Sequence, residues 1–318
     1  MWGFKRRAPP AQAPLAASSN QADPEALLNH IDWSVLRRLD GLLQGQNRSL
    51  FRGSGLDLAE LREYQTHDDV RHIDWMVTAR TGSVHVREHL EDREIQAWFL
   101  VDMSGSMDFG RPGQTKRDGL LRWVAILSRL MMTHGNRVGA IVFGVQSTQE
   151  MIWIPARMGR RHVLHVMQRL QQARAAPRPH VSPLDLWLRR AASLLPRRSQ
   201  VWVISDFLSP APWEKSLAQL AQRHDGMLLR LTDPLEQALP DAGMFWVQDA
   251  ETAEQIWVDS SDPDLRRRYA QSALTHRQRL VDAAQLAGMD ALEWSTHEDV
   301  HQALLRFVRL REHKARHA

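Results

Sequence analysis

The chain has 318 residues, 43% hydrophobic and 25% charged, which is enough for one large α/β domain with a smaller module. It has no cysteine, which excludes disulfides, thiolate nucleophiles and thiolate metal sites and fits a reducing compartment. A formal charge of +4 from 41 basic and 37 acidic residues is small, and the basic residues are dispersed apart from Lys5-Arg6-Arg7, Arg266-Arg267-Arg268 and the tail from Arg306 to Arg316; no nucleic-acid-binding motif accompanies them, so nucleic acid is not an expected partner.

The start, Met1-Trp-Gly-Phe-Lys5-Arg6-Arg7, is charged but runs into Ala/Pro/Gln text without an apolar core, so it does not read as a secretory signal. No apolar run approaches the ~20 residues that span a bilayer, and the cytoplasm is the expected location. Residues 1–24 form an N-terminal segment whose low-complexity stretch from residue 8 is expected to be disordered. A helix is expected from after Asp23-Pro24 to about Gln44, with Leu27, Leu28, Ile31, Val35, Leu36, Leu39 and Leu42 on one face, until Gly45 and Gly53-Ser54-Gly55 break the pattern. From Leu56 to Ile95 the text alternates and is highly charged, with a turn signal at Thr81-Gly82; residues 25–95 therefore read as an N-terminal helix and a small, charged, antiparallel β-module. Within it Val70 to Val77 reads as a strand, which places Asp68, His72 and Asp74 on one face and Asp69 on the other.

From residue 96 to 318 strands and helices alternate. Strands are expected at 97–102, 137–144, 150–154, 200–205, 226–231 and 290–294, and helices near 115–133, 160–172, 183–195, 213–223, 262–287 and 298–312. That rhythm predicts a doubly wound sheet with helices on both faces. A hairpin near 244–258 interrupts it, built from Met244-Phe-Trp-Val and Gln255-Ile-Trp-Val.

The apolar run Trp98-Phe-Leu-Val101 ends in Asp102-x-Ser104-x-Ser106. A carboxylate and two hydroxyls at alternate positions after a strand can converge on one hard cation, and oxygen donors of this kind suit Mg²⁺. Helix capping is the competing explanation for serines and aspartates placed before helices. The motif resembles the metal-ion-dependent adhesion site of von Willebrand factor A domains. That resemblance implies a hydroxyl from a second loop, here Ser182 where threonine is usual, and an aspartate at a third strand end, here Asp206. The implied site is Asp102, Ser104, Ser106, Ser182 and Asp206 around Mg²⁺, with Mn²⁺ or Ca²⁺ as alternatives, and a partner's carboxylate completing the octahedron.

A second constellation is Phe51-Arg52-Gly53-Ser54-Gly55-Leu56-Asp57-Leu58 through Tyr64, followed by His67-Asp68-Asp69-Val70-Arg71-His72-Ile73-Asp74-Trp75 and Thr78-Ala79-Arg80-Thr81. Together with Asp102-Met-Ser104-Gly-Ser106 and Ser205-Asp206-Phe207, this text resembles the bacterial domain-of-unknown-function fifty-eight family over most of residues 40–310, with Thr66-His67 where the family usually has Pro-Gly. The resemblance implies a von Willebrand A-like sheet joined to the charged module. It also implies work beside a MoxR-type AAA+ ATPase on a client protein, as adaptor or co-chaperone in protein maturation or complex assembly.

Taken alone, His67, Asp68, Asp69, His72 and Asp74 suggest a second metal cluster and a metal-dependent hydrolase, because adjacent His and Asp resemble the HD phosphohydrolases. A network pairing these carboxylates with Arg52, Arg62, Arg71 and Arg80 is the plainer expectation. A scaffold with a vestigial metal site is a further alternative. No nucleophile–base signature, P-loop or dinucleotide fingerprint is present, so binding rather than catalysis is expected.

Overall fold

The computed structural model of the chain describes residues 24–29, 60–65, 68, 70, 73–88, 96–145, 151–175, 184–196, 198–210, 212–249 and 254–317. Helix α1 (Pro24–Asn29) is the described part of the expected N-terminal helix, and its Leu28 is buried in the main core. Strands β1 (Glu60–Glu63) and β2 (His85–Glu88) pair antiparallel, as the alternation predicts.

Between them the expected strand over Val70–Val77 is corrected: residues Trp75–Thr81 form a helix, α2. Asp74 is its N-cap, accepting from Met76 N at 3.0 Å and Val77 N at 3.2 Å. Gly82, at φ +76°, closes its far end. An aspartate that satisfies the first free N–H groups and a glycine in the left-handed region make a start and a stop that outweigh local alternation. Asp68 likewise accepts from a backbone group, Gln65 N at 2.8 Å. His67, Asp69, Arg71, His72 and Arg52 lie outside the described residues, so the expected arginine network falls largely outside them too.

The main domain opens with β3 (Gln96–Asp102), a two-residue hairpin of β4 (Gly110–Arg111) and β5 (Gln114–Thr115), and helix α3 (Lys116–Thr133). Then come β6 (Arg137–Phe143), β7 (Met151–Arg157), α4 (Arg160–Gln172), α5 (Leu184–Leu194), β8 (Gln200–Ser205) and α6 (Glu214–Ala221). The last part holds β9 (Asp225–Thr232), the short α7 (Pro234–Gln237), the inserted hairpin β10 (Met244–Gln248) and β11 (Gln255–Asp259), α8 (Pro263–Ala287), β12 (Asp290–Ser295) and α9 (Val300–His317).

Six strands form one sheet in the order β12-β9-β8-β3-β6-β7, parallel except for β7, which runs antiparallel to β6. Both faces are covered. Ala97, Phe99 and Val101 of β3 join a core with α3, α4 and α9, while Trp98 and Leu100 join a second core with α5, α6 and α8. A strand buried on both sides needs apolar side chains at every position, which is why β3 and β8 read as unbroken apolar runs. The chain proceeds outward from β3 to β6 and β7, then returns to β8 and proceeds the other way to β9 and β12. The carboxyl ends of β3 and β8 therefore flank the reversal of strand order, where open α/β sheets leave a crevice.

Candidate metal centre

Strand register brings the first pair of groups together. Leu100 lies beside Val203 and Val101 beside Ile204, so one step further Asp102 meets Ser205. Ser205 Oγ donates to Asp102 Oδ2 at 2.7 Å, and Ser104 N donates to Asp102 Oδ1 at 2.9 Å. Asp206 follows at once, its Oδ1 accepting from Leu208 N at 3.2 Å. The Ser104 and Ser106 hydroxyls are hydrogen-bonded to each other at 3.1 Å, and both line the same cleft as Asp206. Close backbone approach makes this possible: a Cβ on Gly144, which has φ +69°, would stand 2.6 Å from Ser104 N.

Asp102, Ser104, Ser106 and Asp206 line one cleft of about 510 Å³. Ser182, the fifth expected ligand, lies outside the described residues. Helix capping does not account for the serine–aspartate set. Ser104 precedes the turn Gly105–Asp108, yet its hydroxyl makes no capping bond, and Asp206 lies well before α6, which begins at Glu214. Among the described residues no three His, Cys, Asp or Glu side chains are grouped as metal ligands, so any centre here draws on two carboxylates and neutral hydroxyls.

The donor set fits a hard cation. Carboxylate and hydroxyl oxygens suit Mg²⁺, which prefers an octahedron at about 2.0–2.1 Å, and equally Mn²⁺ or Ca²⁺.

Three further groups complete the surroundings: Ser205, which the sequence shows beside Asp206 but does not mark as part of the site, and Lys116 and Glu236, which it does not mark at all. Lys116 is the first residue of α3 and is fully buried. Its Nζ donates to Asp206 Oδ2 at 2.8 Å and to Glu236 Oε1 at 2.6 Å. Burial pulls the Lys116 pKa down, but the two carboxylates more than offset this and leave it above its ordinary value. Burial likewise pushes Asp206 up, and the adjacent ammonium overcomes it, so Asp206 stays below the usual carboxylate range. Glu236 is raised, by burial first and then by the charge of Asp206. Asp102 has no such cation, and burial together with the negative charge of Asp206 raises it to about 6. The local text around Lys116 marks a helix start, with Thr115 and Asp118 forming a capping box. Nothing local marks ammonium partners 90 and 120 residues away.

Across the sheet the rim continues as a polar row. Ser205 lies beside Arg230, and Arg230 beside Glu293, to which it is bridged at 3.4 Å. Tyr269 and His276 of α8 and Val247 and Asp249 of the β10–β11 hairpin wall the cleft from above. Phe109 and Leu208 give it an exposed apolar lip. Such an arrangement can hold a hard cation at the bottom of a cleft and present its outer side to an anion.

A family model described as "Protein of unknown function DUF58" matches residues 60–279. Uncharacterized protein Rv1480 of Mycobacterium tuberculosis is 37% identical to this chain over 298 residues, covering 92% of both chains. Uncharacterized protein Mb1516 of Mycobacterium bovis has the same 37% identity and 92% coverage. Among solved structures, BatB from Bacteroides thetaiotaomicron is similar at a TM-score of 0.44 and 14% identity, over 66% of this chain and 95% of that one. The chain has an α/β fold whose mostly parallel sheet is covered by helices on both faces, and it belongs to the DUF58 family.

Proposed function

We propose that this protein is a metal-dependent interaction module and not an enzyme: Asp102, Ser104, Ser106 and Asp206 hold Mg²⁺, or Mn²⁺ in its place, and the cation captures a carboxylate on a partner protein. The observation that carries this reading is the pair of hydroxyls 3.1 Å apart, set between two buried aspartates at the reversal of strand order. Ser182 would add a further hydroxyl. When bound, the cation supplies an electrophilic position for an incoming anion. The chain's own groups do the rest. Ser205 and Ser104 N fix both oxygens of Asp102, and Leu208 N orients Asp206.

The partner we propose is a MoxR-type AAA+ ATPase in the cytoplasm, with this chain as adaptor or co-chaperone for a client under maturation or assembly; the support is the family text at 51–81 and 102–107. Passing such an ATPase over the immobilised full chain, in Mg²⁺ and in EDTA, tests both parts. The expected result is retention in Mg²⁺ and loss in EDTA. Retention that ignores EDTA contradicts the metal, and no retention in Mg²⁺ contradicts the partner.

A further inference from the structure

We propose that Lys116 is a built-in rival of the metal: its ammonium competes with the divalent cation for Asp206 and keeps the cation weakly held until a partner's carboxylate is added. This rests on the metal reading of the same site and concerns how that site is regulated.

The placement of Lys116 needs a cause. A cation in the first turn of a helix faces the positive end of the helix dipole, and burying an ammonium removes its hydration. Lys116 has both handicaps, being the first residue of α3 and 0% exposed. What holds it is Asp206 at 2.8 Å and Glu236 at 2.6 Å. Glu236 is itself fixed, because its other oxygen accepts from Asp233 N at 3.0 Å in the cap of α7. Asp206 thus serves two cations. It lines one cleft with the proposed metal donors Asp102, Ser104 and Ser106, and its Oδ2 is already taken by the ammonium.

Two consequences follow from charge alone. Without a divalent cation, Lys116 keeps Asp206 ionised and in place, so the donors need no rebuilding. With one, the metal must share Asp206 and tolerate a buried positive charge beside it, which lowers its affinity. Glu236 offers the ammonium a second seat, so weakening Glu236 should commit Lys116 more fully to Asp206. A partner's carboxylate adds the negative charge that retains the cation, so metal and partner bind together better than either binds alone.

The test is calorimetric titration of MgCl₂ into the full chain, with circular dichroism to confirm folding. Removing a buried unit charge next to a cation site is worth at least about tenfold in affinity, so Lys116→Met should bind Mg²⁺ at least about tenfold more tightly than wild type. Glu236→Gln should bind it several-fold more weakly. A lysine with a purely structural role would weaken binding in both variants. Wild-type binding with a folded Lys116→Met that is equal or weaker overturns this inference and leaves the metal reading standing. Binding by neither wild type nor Lys116→Met overturns both, and binding by Lys116→Met alone supports the competition. If Lys116→Met does not fold, Lys116→Gln takes its place: tighter binding than wild type supports the inference, and equal or weaker binding overturns it.

Discussion

Ser205 Oγ donates to Asp102 Oδ2 at 2.7 Å, joining the last residues of two neighbouring parallel strands where the strand order reverses. The carboxylate is thereby aimed into the cleft and both of its oxygens are placed. Its raised pKa, about 6, reflects burial beside a second carboxylate, so this arrangement is costly without a nearby cation.

Asp102→Ala should abolish the stabilisation that Mg²⁺ gives the wild type. At a concentration of cation about a hundredfold over its Kd, a ligand of the folded state adds about 2.7 kcal/mol, which is several degrees in Tm for a chain of this size. Thermal scans with and without MgCl₂ should show the rise in wild type and none in the variant.

Ser104→Ala with Ser106→Ala removes a hydroxyl pair that lies at the cleft surface, so the fold should survive. Capture of the ATPase or client should weaken by roughly ten- to hundredfold, the worth of a charge-assisted contact of ~1.5–3 kcal/mol. Binding titrations beside a circular dichroism spectrum check both halves. Unchanged affinity would move the interface to another face.

Gly144→Ala carries no metal donor yet should disturb the centre. The new Cβ would stand 2.6 Å from Ser104 N, in a left-handed backbone that disfavours any side chain. A loss of about 1–3 kcal/mol in urea unfolding is expected, together with a weaker Mg²⁺ response.

Asp74→Ala should separate the N-terminal module from the metal. Loss of the α2 cap costs roughly 1 kcal/mol, while the Mg²⁺-dependent rise in Tm should remain. Loss of that rise in Asp74→Ala would favour the His67–Asp74 cluster as the metal site.

Stability should also fall as the medium is acidified, in part through His224. It is 5% exposed and neither ring nitrogen has a hydrogen-bond partner among the described residues. Burial first, and then Arg223, hold its pKa below 6.5 in the folded chain. The unfolded state therefore binds a proton at about pH 6.5 while the folded state does not, so unfolding gains as pH drops from about 7 towards 5. His162 is depressed in the same direction, mainly by burial. Urea unfolding at the two ends of that range should show a smaller loss for His224→Gln than for wild type.

The ends of β3 and β8 were legible because strands buried on both faces are spelled as unbroken apolar runs, and Asp102, Ser104, Ser106 and Asp206 follow those runs directly. The β10–β11 hairpin was legible from two short apolar runs separated by Asp-Ala-Glu-Thr, and the structure pairs them with Trp246 beside Trp257. Lys116 was not legible as part of the site. A lysine after a helix cap ordinarily faces solvent, and its burial depends on carboxylates delivered by β8 and α7, remote in sequence. The segment around Asp74 was misread because alternation over a few residues carries less information than a cap and a closing glycine, and the cap was read as one more charged position.

The most direct measurement is the anomalous difference map of a crystal of the full chain soaked in MnCl₂. The expected result is a peak at bonding distance from the Ser104 and Ser106 hydroxyls and beside Asp102 and Asp206. A cleft without that peak at saturating Mn²⁺, or a peak held by His67 and His72 instead, would contradict the metal centre.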